Sequence, residues 1–243
     1  MLVYSWATSD VGRKRSHNED RYLVAHDVGL FAVADGMGGH NAGEVAADLA
    51  VRVLDGFVHL HRRRLEGDAA GLLKDAIVRA NAVVHDAGSG PATRGMGTTT
   101  TSLLFAAGRA LVGHVGDSRA YLVRGGRIVQ VSRDHSLVAE QMRAGVITAE
   151  QAKVSPWKNV ITRCVGSAAV VDVDVAVVDL EDGDTFLLCS DGLSGLVSDE
   201  EICCSVVEQF LHRVPDVLVD LANERGGHDN ITVVVCHVVA DAH

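Results

Sequence analysis

Residues 98–132 read "TTTTSLLFAAGRALVGHVGDSRAYLVRGGRIVQVS", four short runs rich in β-branched and apolar residues, parted by turns that carry glycine. Strands that follow one another with no helix between them do not build alternating β-α units. The stretch predicts an antiparallel meander. "LVYSWAT" (2–8) and "VGLFAVAD" (28–35) add early strands, the second apolar on both parities, as a central strand is. Further strands are predicted in "VDVDVAVVDL" (171–180), "DTFLLCSD" (184–191) and "NITVVVCHVV" (230–239).

Helices come in groups. Val45, Ala46, Leu49, Val53 and Leu54 recur at helical spacing, which predicts a helix from Ala42 to about Leu65, closed by a basic last turn and Gly67. Others are expected from Asp68 to about His85, over 134–145, over 199–212 and over 215–225. Residues 145–166, around "VITAEQAKVSPWKNVITRCVGS", mix helix signals with a proline and weak periodicity, which predicts an ordered flap. The sum is an α+β chain of one domain, residues 1–243, with antiparallel sheets and helices packed outside.

Composition narrows the function classes. Basic residues number 22 against 32 acidic, a formal charge of −10, which sets nucleic acid and anionic lipid aside as partners of the whole surface. No apolar run reaches membrane-spanning length, and the N-terminus lacks a signal-peptide core, so a soluble cytoplasmic protein is expected. Five cysteines without C-x-x-C spacing suit reduced, buried thiols.

Three aspartates stand where an apolar run meets glycine: Asp35 in "FAVADGMGG", Asp117 in "LVGHVGDSRA" and Asp191 in "TFLLCSDGLSG". Asp20 and Asp229 lie beside strands. Each one alone reads as a turn or cap. Together, if the strand ends converge, they crowd one cleft with like charge that cations would have to neutralise. All-oxygen ligation favours magnesium or manganese over zinc. Arg13, Lys14 and Arg15 precede Asp20, and Arg15 is the candidate for gripping a phosphate through parallel hydrogen bonds.

These residues carry a resemblance. "D-x-G-x-x-R-x-x-N-E-D" (10–20), "ADGMGGHNAGEVA" (34–46), "GMGTT" (95–99), "GDSRAYL" (116–122), "NVITRCVG" (159–166), "CSDGL" (189–193) and "HDNIT" (228–232) stand in the order found in the type 2C, or PPM, metal-dependent protein phosphatases in their short bacterial form. The resemblance implies a four-layer α-β-β-α sandwich, two central antiparallel sheets flanked by helix pairs, with a binuclear metal centre at one end.

It also implies the site. Asp35 would bridge two ions of manganese or magnesium, the Gly36 carbonyl would ligate one, and Asp191 and Asp229 the other. Glu19 and Asp20 would organise metal-bound water, with Asp20 also counted among the metal carboxylates, and Asp117 with Asp191 would serve a third ion. A hydroxide between the metals would attack phosphorus in line with the seryl or threonyl leaving group, and Arg15 would hold the phosphate. Many eukaryotic members place a histidine after the Asp-Gly of the second motif, where this chain has Met37, which has no proton to give. His40, metal-bound water or unassisted departure is then left to serve the leaving alkoxide.

The implied substrates are phosphoserine and phosphothreonine proteins, and the implied partner is a Hanks-type serine/threonine kinase; a monomer is expected. Two alternatives stand beside this one, a phosphatase for anti-sigma-factor antagonists and an inactive phosphoprotein-binding module. Blander assignments cover the rest. "HLHRRRLEG" (59–67) reads as a solvated helix end, Asp172 and Asp174 as solvent-facing strand residues, Asp182 and Asp184 as a hairpin turn, Thr98 to Thr101 as strand, and His114 and His135 as structural histidines.

Overall fold

Strands and helices alternate in blocks along the computed structural model, which describes residues 1–38, 42–91 and 93–240. The chain opens with β1 (Leu2–Asp10), β2 (Asp20–Ala25) and β3 (Leu30–Met37), followed by α1 (Ala42–Leu60) and α2 (Ala69–Ala87). Next come β4 (Gly97–Thr98), β5 (Thr100–Ala106), β6 (Arg109–Val115), β7 (Arg119–Arg124) and β8 (Arg127–Gln130). After α3 (Leu137–Arg143) and α4 (Ala149–Lys153) the chain returns through β9 (Asp174–Asp179) and β10 (Thr185–Cys189). It ends with α5 (Asp191–Ser194), α6 (Asp199–Glu208), α7 (Val214–Glu224) and β11 (Ile231–Val239).

Among the described residues the strands form two antiparallel sheets, one ordered β1-β11-β10-β7-β8 and the other β2-β3-β5-β6-β9, with β4 paired to β3. Their inner faces meet through Phe31, Val33, Leu103, Val112, Phe186, Leu188 and Val234. Outside the second sheet, Ala46, Ala50 and Leu54 of α1 and Leu72, Leu73 and Ile77 of α2 pack on Leu30 and Leu104. Outside the first, Ile202 of α6 and Leu218 and Ala222 of α7 cover Leu187, Val233 and Val235. This is the expected four-layer sandwich, built by alternation along the strands: odd positions of β3 face one core and even positions the other.

The meander expected over residues 98–132 is two hairpins in different sheets. β5 pairs with β6 and β7 with β8, and the chain crosses from one sheet to the other between Val115 and Arg119. Gly116 makes the corner at φ +120°, where a Cβ would also lie 2.6 Å from Thr99. Alternation looks the same whichever sheet a hairpin joins, so the crossing left no mark on the pattern.

Smaller departures have local causes. Helix α1 stops at Leu60, and Arg62–Glu66 continues as a 3-10 turn. There Arg64 pairs with Asp68 and Asp75, so part of the basic run is engaged rather than solvated. Asp184 is fully buried rather than a free turn residue, because Arg124 grips both its oxygens at 2.7 Å. Cys189 and Cys236 are buried as expected, whereas Cys204 is exposed.

Candidate active site

The site is where strand ends meet. In the β2–β3 register Asp20 lies directly opposite Asp35, so their side chains leave one face of the sheet as neighbours. In the other sheet β10 runs into Ser190 and Asp191 while β11 starts just after Asp229 and Asn230, and antiparallel pairing puts both at the same end. Asp117 occupies the corner between the sheets. The five aspartates singled out in the sequence therefore reach one end of the sandwich.

Hydrogen bonds fix each one differently. Asp20 Oδ2 accepts from Ser190 Oγ and Thr232 Oγ1, both at 2.7 Å, which ties the two sheets together. Asp35 is clamped by its backbone, its N–H donating to Thr99 Oγ1 and its carbonyl accepting from Thr98 Oγ1 and Thr99 N, all at 2.9 Å. The threonine run is buried, with Thr98 in β4, Thr100 and Thr101 in β5 and Thr99 between them, and the Thr98 and Thr99 hydroxyls hold the carboxylate's mount. Asp229 accepts from Arg15 Nη2 at 2.7 Å and from Asn230 N at 2.8 Å.

Glycines permit the approach. A Cβ on Gly36 would fall 2.1 Å from Gly43 O and 2.6 Å from Glu19 O, so only glycine lets α1 start against β3 here. Glu19 then sits at the first turn of α1, where the helix dipole and the Gly43 N–H favour its charge. Asn230, which sequence reasoning passed over inside "HDNIT", carries the segment that presents Arg15: its Nδ2 donates to Val11 O and His17 O at 2.9 Å, and its Oδ1 accepts from Glu19 N at 2.8 Å. The signal for it was an amide side chain at a strand start beside a loop whose carbonyls need donors.

Crowding shows in the acidities. Burial pushes Asp20 up to about 7 against the hydrogen bonds from Thr232 and Ser190, with Asp191 and Asp229 adding to the rise. Burial and then the charge of Asp191 push Asp117 up to about 7 as well. Asp35 lies well above the ordinary range through burial and then Asp20, Asp191, Asp117 and Asp229, and Asp191 is raised by burial and Asp229. Glu19 is raised by burial. Burial opposes the charge on Arg15, yet Asp229, Glu19 and Asp35 hold it protonated above its ordinary value.

Buried oxygens with no donor mark what the cleft is suited to hold. Asp20 Oδ1, Asp117 Oδ1 and Asp191 Oδ1 are enclosed and have no hydrogen-bond partner. Such oxygens fit hard divalent cations. Among the described residues no three His, Cys, Asp or Glu side chains form a ready ligand set as they stand; Asp229 is turned to Arg15, and Asp20 spends one oxygen on Ser190 and Thr232. His40 lies outside the described residues, and Met37 follows Gly36 at the end of β3. His114 and His135 are buried and structural, bonded to Thr101 and Arg133 O and to Gly116 N respectively.

Two packed antiparallel sheets deliver buried carboxylates and one guanidinium to a shared end, an arrangement suited to metal-assisted hydrolysis of phosphate esters. The chain belongs to the protein phosphatase 2C family, whose profile matches residues 12–225. It is 40% identical over 235 residues to the serine/threonine phosphatase stp of Listeria monocytogenes, covering 93% of this chain and 92% of that one. It is 41% identical over 239 residues to the serine/threonine protein phosphatase PstP of Mycobacterium tuberculosis, covering 96% of this chain but 44% of that protein's length. The catalytic domain of PstP, solved with two manganese ions, superposes with a TM-score of 0.88 at 37% identity over 98% of this chain and 99% of that one. The chain is a metal-dependent serine/threonine protein phosphatase of this type, and no described helix is long and apolar enough to cross a membrane.

Proposed function

We propose that this chain hydrolyses phosphoserine and phosphothreonine in proteins with two divalent cations, manganese or magnesium, held by Asp35, the Gly36 carbonyl, Asp191 and Asp229. Asp20 and Glu19 would complete the water-binding side, and Asp117 with Asp191 would serve a third, looser ion. The observation that carries it is the set of buried carboxylate oxygens without donors, on Asp20, Asp117 and Asp191, at the sandwich end that also holds Arg15. Divalent cations there would supply a hydroxide nucleophile at neutral pH and neutralise phosphoryl oxygens.

The chain's own residues do the rest. Arg15 commits one Nη2 hydrogen to Asp229, is half exposed, and has its other N–H groups available for two phosphate oxygens. Asp20 fixes the spacing between the sheets, so the carboxylates keep their separation as charge develops on the phosphate. Met37 offers the leaving oxygen no proton, which suits substrates whose alkoxide is protonated by solvent. The flap, 145–166, would overhang this end and contact the peptide around the phosphoresidue. The partner would be a Hanks-type kinase in the cytoplasm whose phosphorylations the enzyme, acting as a monomer, reverses.

The test is hydrolysis of a phosphothreonine peptide with manganese, with and without chelator, by the wild type and Asp191→Ala. Metal-dependent turnover that Asp191→Ala lacks while melting cooperatively is the expected result. Equal turnover by the two proteins overturns the assignment.

A further inference from the structure

The C-terminal end of the flap is stitched to the carboxylate end at two points. At the first, His135 N donates to Gly116 O at 2.7 Å, Leu137 N to Val160 O at 2.8 Å and Thr162 N to His135 O at 2.8 Å. At the second, Val165 and Thr98 exchange backbone hydrogen bonds of 2.8 and 3.0 Å, and Thr98 Oγ1 donates to the Asp35 carbonyl. One point thus rides on the corner that carries Asp117 and the other on β4, whose Thr98 bonds the Asp35 carbonyl.

A side-chain chain closes the circuit at Asp174. Arg163, from the flap, donates through Nη1 to Asp174 Oδ1 at 2.9 Å and to Asp172 O at 3.1 Å. The other oxygen, Asp174 Oδ2, lies 3.3 Å from His135 Nε2. Gly116 N donates to His135 Nδ1 at 3.0 Å, so Nδ1 carries the lone pair and the ring proton of the neutral imidazole sits on Nε2, aimed at Asp174. One carboxylate therefore holds both the flap's arginine and the tautomer of the imidazole that accepts the N–H next to Asp117. Nothing donates to Asp117 Oδ1, so the backbone of this corner sets its aim.

The strand pattern led us to expect Asp174 in solvent; its side chain is 41% exposed and lines a cleft of about 410 Å³ with His114, Arg133 and Val112. Asparagine at 174 would keep the volume and leave no void.

We propose that Asp174 is a positioning residue: through His135 and Arg163 it holds the flap and the Gly116–Asp117 corner as one body, so a substrate that engages the flap also sets Asp117. The proposal rests on Asp117 belonging to the hydrolytic site. The decisive variant is Asp174→Asn in the full chain. Hydrogen exchange in the presence of chelator should show the Gly116 and Thr162 amides exchanging about tenfold faster, with the β10 and β11 amides unchanged. With manganese and a small aryl phosphate, the metal concentration for half-activation should rise about tenfold, the loss expected when one charge-assisted hydrogen bond is removed. In an Asp117→Asn background the same change should cost nothing further.

Arg163→Gln, a surface change, should speed exchange at Thr162 and leave Gly116 alone, so the idea can be judged even if Asp174→Asn folds poorly. Unchanged exchange at Gly116 and Thr162 in Asp174→Asn, or a full additional loss on top of Asp117→Asn, overturns the proposal. A wild type without metal-dependent turnover would count against the functional assignment instead, and the exchange measurement would still decide whether flap and corner move together.

Discussion

Replacing Asp20 by asparagine should stabilise the metal-free protein and disable it. Asp20 is wholly buried, and its Oδ2 accepts from Ser190 and Thr232, bonds an amide oxygen can also accept. Its Oδ1 has no partner, and the amide nitrogen would bring a donor to a cleft crowded by Asp35 and Asp191. Burial lifts its pKa from an ordinary 3.8 to about 7, so the folded state binds the proton more tightly than the unfolded chain does. A carboxyl raised in this way contributes stability that is fully present below 3.8 and lost as pH rises toward 7.

From 3.8 to about 7, placing this carboxyl in the fold costs about 4 kcal/mol at pH 8, where it stays ionised, and about 2 kcal/mol at pH 5, where it takes up a proton on folding. Asp20→Asn removes that cost. Burial and then the His135 ring push His114 down to about 4, which gives an opposite slope below pH 6.5. The His114 contribution is common to both proteins and cancels in the comparison. Urea unfolding with chelator, at pH 8 and at pH 5, reads the difference directly. The variant should exceed the wild type by about 4 kcal/mol at pH 8, falling to about half that at pH 5. An advantage equal at both pH values, or a variant weaker than the wild type at pH 8, would refute the claim that the cleft stores carboxylate strain.

Arg15→Ala should raise KM for a phosphopeptide and lower kcat/KM about 100-fold, the value of a paired guanidinium-phosphate contact, while the manganese activation curve moves less than about twofold. Gly36→Ala places a methyl carbon 2.1 Å from Gly43 O and should cost about 3 kcal/mol, a loss of ~10 °C in Tm by calorimetry. Arg124→Ala strands the buried Asp184 carboxylate and should cost about 2 kcal/mol in denaturant unfolding, less than a fully enclosed pair because Arg124 is one-third exposed.

Local chemistry was legible in the sequence and long-range pairing was not. Asp35, Asp117 and Asp191 announced themselves because an apolar strand that ends in carboxylate and glycine is a mount with its shielding removed. That Asp20 faces Asp35 depends on the β2–β3 register, which no spacing within either strand encodes. The change of sheet at Gly116 was invisible for the same reason: two hairpins alternate like one meander. Asp184 reads as a turn residue because it flanks Gly183, and Asp174 as a solvent residue because it alternates with valines, while the arginines that bury or engage them, Arg124 and Arg163, come from elsewhere in the chain. Asn230 was hidden by serving backbone groups rather than chemistry.

The carboxylates at the sandwich end are proposed to form a shared cradle for divalent cations. Crystals grown with manganese and measured for anomalous scattering at the manganese edge test it most directly. Two peaks are expected, both within ligand distance of Asp35, one of them also reached by Asp191 and Asp229 after Asp229 has turned from Arg15. A map without manganese at Asp35, or with the metal bound only to surface carboxylates, would contradict it.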